Sequence, residues 1–433
     1  MRIRVLAFTV SALVSGVLLS ACAGGGSSVT QSTGTVPSAV QRETGAGGQA
    51  EAGRRAHSSV RRTLSVPTCS IPGANSFVGG TDSNVAGGRD AVVGGGGSNQ
   101  ACDDWSVIAG GYENAVSGVG GPYDSFIGGG EFNVLTGNDT DSAIVAGSDN
   151  EVTIDAAAIV AGVDNSTAGE YSLVGAGFKN TVNGGGKYGF IGAGLFNSVS
   201  GEGGYIAAGG YNTVSGEGAV IDGGFNSTAA GAFATIPGGY VNNAAGTYSF
   251  AAGARASAAQ TGTFVWSDGS DGDAILTSSR AYQFLARASG GFTLYTNAAS
   301  TVGAQLAAGS GTWASLSDRN AKTNIVPLDD ATVLDKVAAL PISRWSYTSE
   351  HGVRHVGPMA QDFYAAFKVG EDNKHITSID EDGVALAAIK ALHARVGALD
   401  AENARLRREL AAERAHDRRV DAKLARIVGV LRL

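Results

Sequence analysis

FIGAGLFNSVSG, residues 190–201, decides the fold. Two large apolar residues, Phe190 and Ile191, lead through a small-residue stretch to Asn197. A second short segment, Ser198-Val199-Ser200, then closes on Gly201. Apolar runs this short, bounded by glycine, read as strands and not as helix turns. The unit recurs as VIAGGYENAVSG (107–118), FIGGGEFNVLTG (126–137), LVGAGFKNTVNG (173–184) and YIAAGGYNTVSG (205–216). Its asparagines fall at Asn84, Asn99, Asn114, Asn133, Asn150, Asn165, Asn180, Asn197, Asn212, Asn226 and Asn242, with gaps of 14 to 19 residues and most often 15. Such a period, with two short strands and two turns per unit, predicts a β-solenoid. Asn and Gly are expected at its corners because both tolerate positive φ. The longer gaps, such as 114–133, are expected to be surface loops.

Composition narrows the class. Glycine supplies 66 of 433 residues, about double ordinary usage, without a Gly-X-Y period, so collagen is excluded. The net charge is −8 and no basic stripe is present, which argues against nucleic acid as a partner.

The N-terminus reads as an export signal. Arg2 and Arg4 precede the apolar run Val5 to Leu19, which is short for a membrane span. Leu19-Ser20-Ala21-Cys22 then resembles a bacterial lipobox. The resemblance implies a signal peptide over 1–21 and lipidation of Cys22, with Ala23 in place of Asp favouring the outer membrane. An ordinary secretory signal is the alternative. Residues 22–68, poor in large apolar groups, are expected to be a flexible tether. Cys69 and Cys102 are left over; in an oxidising compartment they can form a disulfide or stay free.

The repeat units over 69–262 resemble the head repeats of trimeric autotransporter adhesins. The resemblance implies a homotrimer, because one narrow rung has little interior of its own; a monomeric β-helix is the alternative. No membrane-barrel pattern follows, so the lipid is expected to be the anchor. Residues 263–315 read as a β-rich neck that ends the roll. Within it, Asp268-Gly269-Ser270-Asp271-Gly272-Asp273 is either a solvated turn or a calcium loop; it lacks the EF-hand glutamate.

Ser317-Asp318-Arg319-Asn320-Ala321-Lys322 follows a composition boundary. With Thr323-Asn324-Ile325, LDKVAALPIS (334–343), Val356 to Asp362 and Ser378-Ile379-Asp380, it resembles the peptidase S74 family, the intramolecular chaperone of endosialidase tailspikes. The resemblance implies a small α+β chaperone domain over 316–391 that cuts its own chain at Leu316–Ser317. Ser317 is then the nucleophile, since its hydroxyl reaches the preceding carbonyl through a five-membered ring. Lys322 is the base. A lysine near its ordinary pKa of about 10.4 must be desolvated for that role, which trimer formation would supply. Asp318 and Arg319 are expected to give structural support. His355 and Gln361 are candidates to orient the site, and no metal or cofactor is called for. The five-residue spacing implies a turn and not a helix face.

From Ile389 to Leu431, apolar or seam residues alternate in steps of 3 and 4, which predicts a coiled coil over 389–433. Asn403 is expected to fix register, and Glu413 and Asp417 to loosen the middle. The fold class is therefore mainly β: trimeric β-roll or solenoid repeats, then a small α+β chaperone domain and a helical coiled coil. The function expected is a surface-exposed trimeric lipoprotein, adhesin-like or a structural fibre, with any host or glycan receptor unidentified. The alternatives are a non-cleaving lipoprotein with a permanent trimerisation cap and a tailspike-derived glycan-binding protein.

Overall fold

The computed structural model describes residues 69, 72–80, 83–117, 124–137 and 141–431. The signal segment, Cys22 and the tether to residue 68 lie outside them, as does most of the loop in the 114–133 gap.

The repeats wind into a β-solenoid of two parallel sheets, one of 14 strands and one of 13, each strand pairing with its counterpart one rung away. In the 14-stranded front sheet Phe190 pairs with Leu173 on one side and Tyr205 on the other. In the 13-stranded back sheet Ser198 pairs with Thr181 and Thr213. Alternation along each two-residue strand points one side chain in and one out. The inward positions of the front sheet form a fully buried column through Ile159, Val174, Ile191, Ile206, Ile221 and Ile236. The back sheet adds Val152, Val182, Val199 and Val214. Each such side chain contributes roughly 1.5–3 kcal/mol by burial. The core is thus one side chain deep and is long instead of wide.

The asparagines do something other than relax the corners. Asn197 is buried, and the residue before it, Phe196, takes the left-handed conformation at φ +54°. The Phe196 N–H is used, donating to the Phe178 carbonyl at 2.9 Å. The Asn197 side chain runs along the inside: Nδ2 donates to Asn180 Oδ1 at 3.0 Å and to the Gly209 carbonyl at 2.9 Å. Its Oδ1 accepts the backbone N–H of Asn212 at 3.1 Å. Repeated from Asn84 through Asn212, this makes an internal amide ladder that ties each corner to the next rung, adding a side-chain donor to corner carbonyls that also accept a backbone N–H. The adjoining glycine has its own reason: a Cβ on Gly194 (φ +112°) would sit 2.0 Å from the Gly209 oxygen.

The ladder also corrects one anchor. Ser227, not Asn226, occupies the buried position: its N–H donates to Asn212 Oδ1, and its Oγ accepts the Asn242 N–H. Asn226 is the left-handed corner residue at φ +55°. The apparent gaps of 14 and 16 residues are thereby two of 15, matching the Thr213–Thr228–Asn243 pairing.

Nor do the parallel ladders stop at residue 262. Phe264–Asp268 and Phe284–Arg287 extend the front sheet, and Leu276–Thr277 extends the back one. Between them the 268–273 loop is held by arginines. Arg287 pairs with Asp268 and Asp271, and Arg255 with Asp273. Asp268 also accepts the Ser289 N–H at 2.6 Å. That bond, with those from Ser270, holds its carboxyl far below the usual range. These carboxylates therefore serve as a cap at the solenoid's end. At the other end Cys69 and Cys102 form a disulfide, with 5.5 Å between their Cα atoms.

The two outer faces differ. Outward positions on the back sheet read Val85, Gln100, Val134 and Glu151, then Ser166, Thr181, Ser198, Thr213, Thr228 and Asn243. Those on the front read Val92, Val107, Phe126, Ala143, Ala158, Leu173, Phe190, Tyr205, Val220, Thr235, Phe250, Phe264 and Phe284. Phe190 stacks on Tyr205, Phe250 on Phe264 and Phe264 on Phe284, with centroids 4.6–5.0 Å apart. A bridged column beside them carries Tyr112, Val163, Phe178, Leu195, Phe225 and Tyr240, all 40–48% exposed.

After the solenoid, Gly291–Tyr295, Gly303–Ala307 and Trp313–Ser315 form an antiparallel sheet. Three helices follow: α1 (Asp330–Ala339), α2 (Ala360–Phe367) and α3 (Ser378–Leu431), with a hairpin of Ser343–Trp345 and His355–Gly357 between α1 and α2. Asp329 caps α1 by accepting from the Ala331 and Thr332 N–H groups. Val333 of α1 packs on Ala387 and Ala388 of α3. Another stripe of α3 carries Ile389, Leu392, Val396, Leu399, Leu406, Leu410, Val420, Leu424 and Ile427, each left 39–63% exposed.

Candidate active site

The Leu316–Ser317 bond lies where two local structures meet. On its acyl side, Ser315 pairs with Ala304, and the Leu316 N–H donates to the Gly303 carbonyl at 3.1 Å. On its amine side the chain turns at once. Residues Arg319–Ala321 form a single 3₁₀ turn, with Asp318 as N-cap and Lys322 as C-cap. Its backbone bonds run from Ala321 N–H to the Asp318 carbonyl at 3.1 Å and from Lys322 N–H to the Arg319 carbonyl at 3.2 Å.

The turn folds Lys322 back onto the serine, so that Nζ donates to Ser317 Oγ at 2.6 Å. Nucleophile and base are in the mutual geometry that proton removal requires. In the single chain both are open to solvent, as is every residue from Leu316 through Asp329.

The supporting residues divide. Asp318 Oδ1 accepts the Asn320 N–H at 2.9 Å and Asn320 Nδ2 at 3.2 Å, placing Asp318 directly in the turn. Arg319 contributes through its carbonyl. His355 is committed elsewhere: its Nε2 lies 2.9 Å from Glu350 Oε2, and its ring stacks on Trp345 with centroids 4.7 Å apart. That hairpin packing holds the imidazole. Gln361 lies in the first turn of α2. Two contributors escaped the sequence reading, Asn320 and Gly303. Asp-x-Asn at N-cap spacing was a signal for the first; the Gly303 contact has none, because it depends on strand pairing.

Residues 317–369 match the model of the family described as chaperone of endosialidase, Peptidase_S74. The match opens on Ser317 and takes in Lys322, α1, the hairpin and α2. No curated protein matches the chain. The chain thus carries a β-solenoid followed by a chaperone-of-endosialidase domain.

Proposed function

We propose that this chain is a surface-exposed trimeric lipoprotein fibre whose C-terminal domain directs trimer assembly and then cuts itself away at Leu316–Ser317. The observation that carries the cut is the 2.6 Å approach of Lys322 Nζ to Ser317 Oγ at the first residue of the matched domain.

Trimer formation is supported by two apolar surfaces that the single chain leaves open, the front face of the solenoid and the α3 seam. A contiguous exposed apolar surface of this extent is characteristic of an interface, and each aromatic side chain covered adds roughly 1.5–3 kcal/mol. The seam residues of α3 stay 39–63% exposed beside α1, so they are open to association. The match to a chaperone of endosialidase agrees with assembly as a trimer.

The coupling follows from exposure. Before association water surrounds Lys322 and the pair is idle; association covers it and lets the neutral amine take the serine proton. Loss of residues 317–433 then removes the assembly element, leaving the fibre kinetically trapped. The lipobox reading of Cys22 places the fibre on the outer membrane, and the hydroxyl-rich back face is the side left for outside contacts. Adhesion rests on fold analogy.

The test is mass analysis of the folded full chain beside Ser317→Ala and Lys322→Ala. The parent is expected to yield a fragment beginning at Ser317, and both variants are expected to stay whole. A whole parent in folded, trimeric form would leave a permanent trimerisation cap as the reading.

A further inference from the structure

We infer that Asp318 is the positioning residue of the cut: its carboxylate, by capping the 319–321 turn, sets the distance between Lys322 and Ser317. The inference rests on the reading of Ser317 and Lys322 as the cleaving pair.

The spacing itself does not bring the two together. Five residues of extended chain span roughly 17 Å, and an α-helix would turn the side chains about 140° apart. Only a tight reversal serves, and here it is one 3₁₀ turn. A single turn is not stable alone in water, because it fixes several dihedrals for very few hydrogen bonds. Tertiary packing does not rescue this one, since Leu316 through Asp329 are all exposed. Besides two backbone bonds of 3.1 and 3.2 Å, the turn is closed by Asp318 Oδ1, which takes both the backbone N–H and the side-chain amide of Asn320. The other half of the site is held independently by the Leu316 N–H bond to Gly303. Asp318 therefore governs the amine side of the scissile bond without touching the acyl side.

The chemistry leaves Asp318 no proton to carry. Neutral Lys322 takes the proton of Ser317 Oγ, and the oxygen attacks the Leu316 carbonyl carbon. The C–N bond breaks as the Ser317 nitrogen takes that proton back from Lys322. The products are a Leu316 ester on Oγ and a free Ser317 amine. Water then splits the ester, giving the Leu316 carboxyl group and restoring the serine hydroxyl. Asp318 contributes by raising the fraction of time Lys322 spends on Oγ. Loss of an N-cap of this kind lowers the population of its turn by about two- to thirtyfold.

The experiment follows release of the 317–433 fragment over time in the full chain, from pH 6 to 10, per mole of trimer. It compares the parent with Asp318→Ala, Asp318→Asn, Asp318→Ser and Ser317→Ala. Asp318→Ala is expected to cut about two- to thirtyfold more slowly. Asp318→Asn and Asp318→Ser keep a capping acceptor and are expected within about threefold of the parent, with an unmoved pH midpoint. If Asp318→Ala does not assemble, the Asn and Ser variants carry the test. A parental rate for Asp318→Ala overturns the inference while leaving the serine–lysine pair intact. So does an Asn variant as slow as Ala with a shifted midpoint, because the carboxylate's charge would then be acting on Lys322. A parent that stays whole overturns the cleaving pair itself, and this inference with it.

Discussion

Replacing Asn180 by alanine tests the claim that an internal amide ladder, and not corner flexibility, holds the solenoid. Asn180 is fully buried. Its Nδ2 donates to Asn165 Oδ1 at 3.1 Å, to the Ala176 carbonyl at 3.0 Å and to the Gly194 carbonyl at 2.9 Å. Its Oδ1 accepts from the backbone N–H and Nδ2 of Asn197, at 3.1 and 3.0 Å. Truncation removes all five contacts and strands a buried N–H on the next rung. At roughly 1 kcal/mol per net hydrogen bond, with more for groups left unsatisfied, the loss is about 3–5 kcal/mol. Because each rung touches only its neighbours, the loss should be local. Native-state hydrogen exchange on the full chain reads it: opening free energies of the Thr181, Asn197 and Ser198 amides should fall by that amount. Amides beyond residue 228 should hardly change. The chain carries the reverse experiment at Ser227, where the ladder is interrupted. Ser227→Asn should stabilise its rung by roughly 1–2 kcal/mol. A change below about 1 kcal/mol at Asn180→Ala, or one spread evenly along the solenoid, would refute the ladder.

Three further outcomes are expected. Phe190→Asp on the front sheet should reduce trimer yield at least tenfold in sedimentation or light scattering, whereas Thr213→Asp on the back sheet should leave it unchanged; equal effects would remove the front face as an interface. Cys69→Ser should cost the first rungs about 2–4 kcal/mol, through the 33-residue separation that the disulfide closes, seen as faster exchange over 72–101 and slow exchange elsewhere. Asp268 has a depressed carboxyl, so the stability it contributes is complete above its ordinary value of 3.8 and is lost as pH falls below it. The Ser289 amide should therefore stay protected at pH 5 and open on further acidification, and Asp268→Asn should remove that pH dependence.

Much of the fold was legible because the solenoid is locally periodic: strand, glycine and asparagine recur at fixed spacing, and the parallel register follows. What escaped depended on neighbouring rungs. Asn226 and Ser227 are adjacent, and only the hydrogen bonds of Asn212 and Asn242 show which one points inward. The asparagine's positive-φ tolerance was a sound local property assigned to the wrong residue; the left-handed corner is taken by Phe196, Tyr211 or Val241 one position earlier. Past residue 255 the pattern fades because Ala256 stands in the asparagine slot, accepting no side-chain bond and leaving its N–H to Asn242. The front strands Phe264–Asp268 and Phe284–Arg287 nevertheless keep the ladder going. At the site, Ser317 and Lys322 were singled out by the resemblance to the peptidase S74 family, because spacing alone does not bring them together. His355 was not placeable from sequence, since its neighbours Trp345 and Glu350 are set by a hairpin.

The coupling of the cut to assembly is tested most directly by breaking the α3 seam. Leu392→Glu and Leu399→Glu together place charges where three helices would meet, at side chains already 51% and 56% exposed in the single chain. Oligomeric mass and fragment release are then measured in one sample beside the parent. The account predicts a trimeric parent that releases 317–433 and a monomeric double variant that stays whole with its solenoid folded. A monomer that cuts at the parental rate would contradict it.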